Sequence, residues 1–204
     1  LFHHVAMVVQ RAATNGGKLY VDGQVVLTFD PTVQPGDLST TEPLRIGNHA
    51  DPALNSHFKG RIDEVAIYNR ALSTSEIQSI YNAGSAGKCV PTNPTNSCAT
   101  APSGLVSWSQ AESNALDSAD SSNGTLTGNV TYAPGRVGQA FSLDGANSYV
   151  TIPSSSGIGR YPSDSRIFFV ETSQSLVNFS APCTVINGLL PVRRARISSN
   201  TPKK

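Results

Sequence analysis

The sequence predicts an all-β protein with one short helix, and three observations support this fold class. Only 14% of the 204 residues are charged, and the chain contains 17 glycines and 13 prolines. This composition, with abundant serine, threonine and asparagine, is typical of many short strands joined by turns. Short apolar runs alternate with turn signals, and only the stretch at residues 74–82 is predicted to form a helix.

The first predicted strands lie close together in the sequence. Residues 4–10 form a candidate buried strand, residues 18–29 contain two β-rich runs, and residues 43–47 form another strand. Between the two runs stands Asp22-Gly23, a strong hairpin signal because a type I′ turn needs positive φ at both central residues. This part of the chain is therefore predicted to be a strand, a hairpin and a further strand.

Residues 58–84 predict a strand, a capped helix and a helix stop in succession. The apolar strand positions are Ile62, Val65, Ile67 and Tyr68. Ser73 precedes Glu76 by three residues, the spacing of a capping box in which each side chain accepts from the other residue's backbone N–H. The apolar helix positions are Ile77, Ile80 and Tyr81. Gly84 then supplies the left-handed conformation that ends a helix.

Two parts of the chain carry ordered series of motifs. Residues 3–88 contain a strand that opens with two histidines, followed by LYVDG, LRIGN and GRIDEVAIYNRALS. Residues 104–153 contain GLVSW, an N-x-A-x-D-S loop, NGTLTG, PGRVGQAFSLDG and YVTIP. The first series resembles the second half of a laminin G-like domain, and the second series resembles the first half of one. The resemblance implies a concanavalin A-like jelly-roll β-sandwich.

From this resemblance we predict four segments. They are the C-terminal half of one laminin G-like domain at residues 1–88, a linker at 89–103, the N-terminal half of a second such domain at 104–160, and a divergent, partly disordered basic tail at 161–204. Within that tail, residues 167–170 and 184–190 are strand candidates. The change of character suggests a truncated or frame-shifted reading of a longer tandem array.

The two half-domains are expected to complement each other, because the first and last strands of a jelly roll lie close together. The result is a circularly permuted, incomplete sandwich. QAFSLDG and YVTIP should pair or pack with GRIDEVAIY. Val106 and Trp108 should share one core with Leu19 and Ile67. One side of the sandwich should stay open unless one of the two strand candidates of the tail fills it.

The cysteines give a signal about compartment. Cys89 and Cys98 bracket the linker with eight residues between them, which in a secreted repeat array predicts a small disulfide loop. Two free thiols in a flexible linker are the alternative. Zinc is disfavoured because no second Cys/His pair stands at ligand spacing. Cys183, in the divergent tail, is assigned no role.

Residue pairs that suggest chemistry are few. His3 and His4 are neighbours in a strand, as are Asp63 and Glu64, so the side chains of each pair are expected on opposite faces. Neither pair is then placed to chelate one metal ion or to form a two-carboxylate hydrolase site. The E-x-D-x-E arrangement of some glucanases of this fold is absent, and no G-x-S-x-G elbow occurs. We therefore expect no enzymatic activity.

One oxygen-rich loop is a candidate metal site. Residues 114–124 place Asp117, Asp120 and Asn123 within a short span, and oxygen ligands of this kind suit Ca²⁺. In laminin G-like and related sandwich modules calcium often lies at a rim loop, so the resemblance implies the same site here. A polar turn with side-chain capping is the alternative. A weaker oxygen-rich patch at Asp144 is predicted to be a hairpin turn.

The sequence alone indicates no exposed aromatic residue on which a sugar could stack. Trp108 stands in an apolar run and is predicted to be core. The tyrosines of the predicted strands and helix have apolar neighbours: Tyr20, Tyr68, Tyr81 and Tyr149. A carbohydrate-binding role is therefore implied by the resemblance alone.

The charge distribution and the hydropathy of the chain limit the classes of partner it is expected to bind. Residues 1–159 carry 8 basic and 12 acidic residues, whereas residues 160–204 carry 7 and 2, which gives no support for nucleic-acid binding by the folded part. No apolar run approaches the roughly 20 residues of a membrane-spanning helix. The chain begins at Leu1 without a signal peptide, so we expect a piece of a longer protein.

The resemblance implies a non-catalytic extracellular module that binds a glycan or a protein, in a bacterial protein that is secreted or attached to the cell surface. Two alternatives remain. One is a structural spacer repeat without a ligand of its own. The other is an accessory fragment of a glycoside hydrolase or sialidase.

Overall fold

A computed structural model describes residues 1–33, 42–49, 56–89, 98–154, residue 158, and the backbone of 166–172. The strands are β1 (His3–Val9), β2 (Gly17–Val21), β3 (Gln24–Phe29), β4 (Leu44–Ile46), β5 (Lys59–Tyr68), β6 (Lys88–Cys89), β7 (Ala99–Thr100), β8 (Leu105–Ser109), β9 (Thr125–Thr127), β10 (Thr131–Pro134), β11 (Gln139–Asp144), β12 (Tyr149–Ile152) and β13 (Arg166–Thr172). Among the described residues there is one α-helix, α1 (Thr74–Ala83), and two short 3-10 turns. The predicted all-β fold with one short helix is confirmed.

Three sheets organise these strands. The large sheet has the order β10-β11-β5-β13-β1-β2-β3, with β8 also paired to β5. The small sheet has the order β4-β12-β9, and β6 and β7 form a parallel pair. Every strand pair of the large and small sheets is antiparallel.

Strand β13 contains the candidate strand at residues 167–170 and lies inside the large sheet. It pairs with β1 from His3↔Thr172 to Val9↔Arg166, and on its other side with β5. It therefore fills the side of the sandwich that was predicted to stay open unless a strand of the tail occupied it. The other candidate strand at 184–190, Cys183 and the basic C-terminal tail lie outside the described residues.

Strand β5 joins the two segments that carry the two motif series. Its first half pairs with β11 through Ile62↔Phe141, and its second half pairs with β8 through Val65↔Ser109. The predicted pairing of QAFSLDG with GRIDEVAIY is thus present. The YVTIP strand lies in the small sheet, where β12 pairs with β4 and β9, and it packs against GRIDEVAIY in one core as predicted. The division of the chain into two half-domains remains a prediction.

An inner core fills the space between the large and small sheets. Its buried members come from both segments of the chain: Ile46, Ile62, Val65, Ile67, Ala111, Phe141, Leu143, Val150, Ile152 and Ile158. Strand residues alternate between faces, and β11 and β12 each contribute alternate side chains to this core. The two segments therefore bury apolar surface against each other in one interior.

An outer core lies on the opposite face of the large sheet, beneath helix α1. Its buried members are Ala6, Val8, Tyr20, Ala66, Tyr68, Leu72, Ile77, Ile80 and Trp108. The predicted common core of Val106, Trp108, Leu19 and Ile67 is therefore wrong in part. Ile67 and Val106 face the inner core, whereas Trp108 pairs directly with Ala66 and so faces the outer core. Leu19 is half-buried and belongs to neither cluster.

Local signals position the helix and the hairpin as predicted. Both halves of the capping box are present, because Ser73 Oγ accepts from Glu76 N and Glu76 accepts from Ser73 N. Gly84, with φ 58°, ends the helix. Asp22 and Gly23 have φ values of 50° and 74° and join β2 to β3 as a two-residue turn. Among the described helices none is long and apolar enough to cross a membrane.

Candidate functional site

The predicted calcium loop connects β8 of the large sheet to β9 of the small sheet, and so lies at the rim of the sandwich. Near its start the chain folds back beside β8. Asp117 forms an antiparallel β-bridge with Ser109, and Ser118 N donates a hydrogen bond to Trp108 O at 2.8 Å. Gly124 N donates to Ala115 O at 2.7 Å and closes the loop. Backbone hydrogen bonds at both ends hold this loop in place.

Asp117 is the anchor of the loop. Its side chain is buried, and Oδ1 accepts from the backbone N–H groups of Trp108, Ala119 and Asp120 at 2.8, 2.9 and 3.2 Å. Its own N–H donates to Asn123 Oδ1 at 2.9 Å. One carboxylate oxygen therefore satisfies three backbone donors, which is the arrangement of a side-chain-capped turn.

The three predicted calcium ligands lie close together in this loop, and each has one oxygen committed to a backbone N–H. Asp120 Oδ1 accepts from Ser122 N, and Asn123 Oδ1 accepts from Asp117 N. Asp117 Oδ2 is buried, and no described residue forms a hydrogen bond with it. In the part of the chain that the structure describes, no group of three or more His, Cys, Asp or Glu side chains is placed to hold a metal ion. Calcium binding here needs backbone carbonyls beside the carboxylates, and remains a prediction.

Asp144, at the β11–β12 turn, is used in the same way. Its Oδ1 accepts from the backbone N–H groups of Ala146, Asn147 and Ser148 at 2.8, 3.2 and 3.2 Å, and from Ser148 Oγ. These hydrogen bonds to the charged form lower the pKa of Asp144 to about 2. The patch predicted to be a hairpin turn is such a turn.

A second polar cluster lies on the outer face of the large sheet, at a bulge in β5. Ile62 and Val65 both face the inner core although two residues separate them, and Glu64 between them has φ 56°. This positive φ breaks the alternation of the strand. The prediction that Asp63 and Glu64 point to opposite faces is therefore wrong, since both side chains turn away from the inner core.

Glu64 joins three elements. Its Oε2 accepts from Lys88 Nζ and, at 3.0 Å, from Trp108 Nε1. The Lys88 ammonium also lies 4.8 Å from the centre of the Trp108 ring, a cation–π contact. The residue after Lys88 is Cys89, which forms a disulfide with Cys98 in the structure. Strand β5, strand β8 and the disulfide-linked pair β6–β7 thus meet at one carboxylate.

Asp63 is fully buried beside this cluster. Its Oδ2 accepts from Arg136 N at 2.7 Å and Val137 N at 2.9 Å, which fixes the β10–β11 turn against β5. Burial raises the pKa of Asp63 to about 7, and these backbone hydrogen bonds oppose the shift. A carboxyl with this pKa is suited to proton transfer, so access to it decides whether it can act.

Asp63 and Glu64 are both buried, and the space beside Glu64 is small. A cavity lined by His4, Glu64, Lys88 and Val137 has a volume of about 10 Å³, which is room for about one water molecule. His4 is buried, and burial followed by the nearby Lys88 charge lowers its pKa to about 4. His3 pairs with Asp22 at 2.8 Å instead. The buried polar residues therefore hold elements together, and the cavity admits no substrate.

Comparison with known families gives one match. Residues 1–78 match a laminin G family model, described as the concanavalin A-like lectin/glucanases superfamily. The resemblance drawn from the motifs is thereby confirmed for this stretch, and the antiparallel sheets agree with it. Comparison with curated proteins and with solved structures gives no match.

Asp63→Asn should remove part of the pH dependence of stability. The folded pKa of about 7 lies above the ordinary value of 3.8, so this group stabilises the fold fully below about pH 4 and less as the pH rises through 7. Between about pH 5 and 8 we expect the wild-type free energy of unfolding to fall by a few kcal/mol through Asp63. Asparagine is uncharged and keeps an oxygen for the two N–H donors, so the variant should lack this fall.

Urea unfolding measures this effect, with the fluorescence of Trp108, the single tryptophan, as the signal. Asp144→Asn is the control, because a pKa lowered to about 2 changes stability only at acidic pH. His4 acts in the opposite sense, since its lowered pKa removes stability as the pH falls. An Asp63→Asn variant with the wild-type slope between about pH 5 and 8 would contradict the assignment.

Proposed function

We propose that this chain is a non-catalytic binding module that recognises a glycan or a protein surface. The observation that carries the proposal is the match of residues 1–78 to the concanavalin A-like lectin/glucanases superfamily. Laminin G-like domains are in general binding modules. The enclosed polar cluster at Glu64 supports a binding role over a catalytic one, because a cavity of about 10 Å³ excludes a substrate.

The rim loop at Asp117 is the site we propose for calcium. Asp117, Asp120 and Asn123 lie together there, and Asp117 Oδ2 is a buried oxygen without a hydrogen-bond partner. A cation beside Asp117 Oδ2 would compensate for the cost of burying this unpartnered oxygen. When bound, calcium would stiffen the loop and provide a charged contact for a hydroxylated ligand.

An extracellular location fits the same proposal. The disulfide between Cys89 and Cys98 has a Cα–Cα distance of 5.2 Å, and such bonds persist in oxidising compartments. We propose that the protein is secreted or attached to a bacterial cell surface. A spacer repeat is the second candidate, favoured by the turn-capping use of Asp117 and Asp144.

A glycan array tests the proposed function. We expect the folded protein to retain a defined set of glycans, and to retain fewer after EDTA treatment if calcium takes part in the contact. Heat-unfolded protein is the control for non-specific adhesion. Absence of binding to glycans and to extracellular matrix proteins, at micromolar concentrations of folded protein, would favour the spacer.

Calcium is tested separately by thermal unfolding. An ion that binds only the folded state raises Tm by mass action, so EDTA should lower Tm and Ca²⁺ should restore it. Asp117→Asn keeps an oxygen for the three backbone donors but loses the charge, and should remove the response to Ca²⁺. Asp144→Asn, at the other capped turn, should keep it. Identical melting curves with EDTA and with Ca²⁺ would leave the polar turn as the correct description.

A further inference from the structure

The outer face of the small sheet carries a row of polar side chains across all three strands. Ile46, Val150 and Ile152 point into the inner core, so their strand neighbours point outward. Thr151 of β12 pairs with Arg45 of β4 on one side and with Thr125 of β9 on the other. Directly opposed residues share a face, so one arginine and two threonines form this row.

A second row lies two residues along the strands. Tyr149 pairs with Thr127 and is on the same face as Thr151, because side chains repeat every second residue. The Tyr149 ring is half-buried rather than enclosed. Tyr149 has apolar neighbours in the sequence, but its ring lies on the outer face of the small sheet.

Arg45 is the cation of this face. In the part of the chain that the structure describes, no carboxylate forms an ion pair with its guanidinium. Its Nε is buried and has no hydrogen-bond partner among the described residues. The guanidinium carbon lies 5.4 Å from the centre of the Tyr149 ring, so the aromatic ring holds the arginine in place. Arg45 is only half-buried, so an anion can bond to the part of the guanidinium beyond Nε.

The groups on this face define the chemistry of a ligand. A guanidinium matches a planar carboxylate with two parallel hydrogen bonds. An aromatic ring packs against the apolar face of a sugar, and threonine hydroxyls exchange hydrogen bonds with sugar hydroxyls. The hydroxyls of Thr125, Thr127 and Thr151 form no hydrogen bond with any described residue, so they are available to a ligand.

The dimensions agree with a carbohydrate. Three strands spaced about 4.8 Å apart make a face about 10 Å wide, and two rows of side chains about 7 Å apart give its height. This area matches one or two sugar rings. An acidic peptide would use the charge of Arg45 but would leave the flat ring and the hydroxyls without matching groups.

We propose that the outer face of the small sheet binds a glycan that contains uronic acid, with Arg45 bound to the sugar carboxylate and Tyr149 packed against the ring. This proposal rests on the proposed function as a binding module and specifies a ligand class and a site for it. The site is separate from the loop at Asp117, which lies at the rim.

Isothermal titration calorimetry with oligogalacturonate tests the proposal, with its methyl ester as the uncharged probe of the same shape. Wild-type protein should bind the acid form, more weakly as salt is added, and should bind the ester at least about tenfold more weakly. Arg45→Gln should weaken binding of the acid form by about tenfold or more, and Arg45→Lys by less, because lysine keeps the charge but lacks the planar fork. Tyr149→Ala should also weaken it.

Arg136→Gln is the matched control, because Arg136 is exposed in the large sheet at the β10–β11 turn. It should bind like wild type, and all variants should keep the wild-type Tm and Trp108 fluorescence. Equal binding by wild type and Arg45→Gln would overturn this site while leaving the module's binding function intact. If wild-type protein bound polyglutamate as tightly as oligogalacturonate, the ligand would be an acidic peptide and the proposal of a glycan ligand would be wrong. Binding of neutral glycans alone would also overturn it, and absence of any glycan binding would overturn it while leaving recognition of a protein surface as the module's function.

Discussion

The pairing of β5 with three strands from the later part of the chain is the interaction on which the rest of the structure depends. Strand β13 covers one side of β5, and β11 and β8 share the other. Each of these partners follows the linker in sequence, whereas β5 precedes it. The inner core is complete only when the two segments are together, because its buried side chains come from both. Either segment alone would have an unpaired sheet edge and an exposed apolar face, and such surfaces are prone to aggregate.

The bulge at Glu64 adds an electrostatic constraint to this pairing. A buried carboxylate is tolerated when it is paired and hydrogen-bonded, and Glu64 receives Lys88 and Trp108 as partners. Lys88 precedes the disulfide-linked cysteine of the linker, and Trp108 lies in the first strand after it. One carboxylate therefore fixes the linker at its exit from the first segment and at its entry to the second.

Local signals predicted much of this fold, whereas long-range contacts were not predictable. The Asp22-Gly23 turn and the Ser73–Glu76 box depend on neighbouring residues, so their spacing identified them. The bulge was missed because alternation is the default for a strand, and the Asp-Glu pair within an apolar strand was its only signal. Trp108 was correctly predicted to be buried but was assigned to the wrong core, since its face depends on its pairing with Ala66.

The candidate sites show the same limit. The side chains around Asp117 are close in sequence, so the loop that gathers them was predicted, although the use of their oxygens as turn caps became clear only from the backbone geometry. Arg45 and Tyr149 lie 104 positions apart in the sequence. Only the pairing of β4 with β12 brings them together, so no motif could have indicated that surface.

Cleavage of the folded protein between Cys89 and Cys98 tests most directly whether the two segments form one sandwich. A protease site introduced there is cut, the disulfide is reduced, and the products are followed by size-exclusion chromatography and by acrylamide quenching of Trp108. Because β5 remains paired with β8, β11 and β13, the two fragments should elute together and Trp108 should stay protected from the quencher. Separate elution of the fragments, with Trp108 fully accessible, would contradict this account.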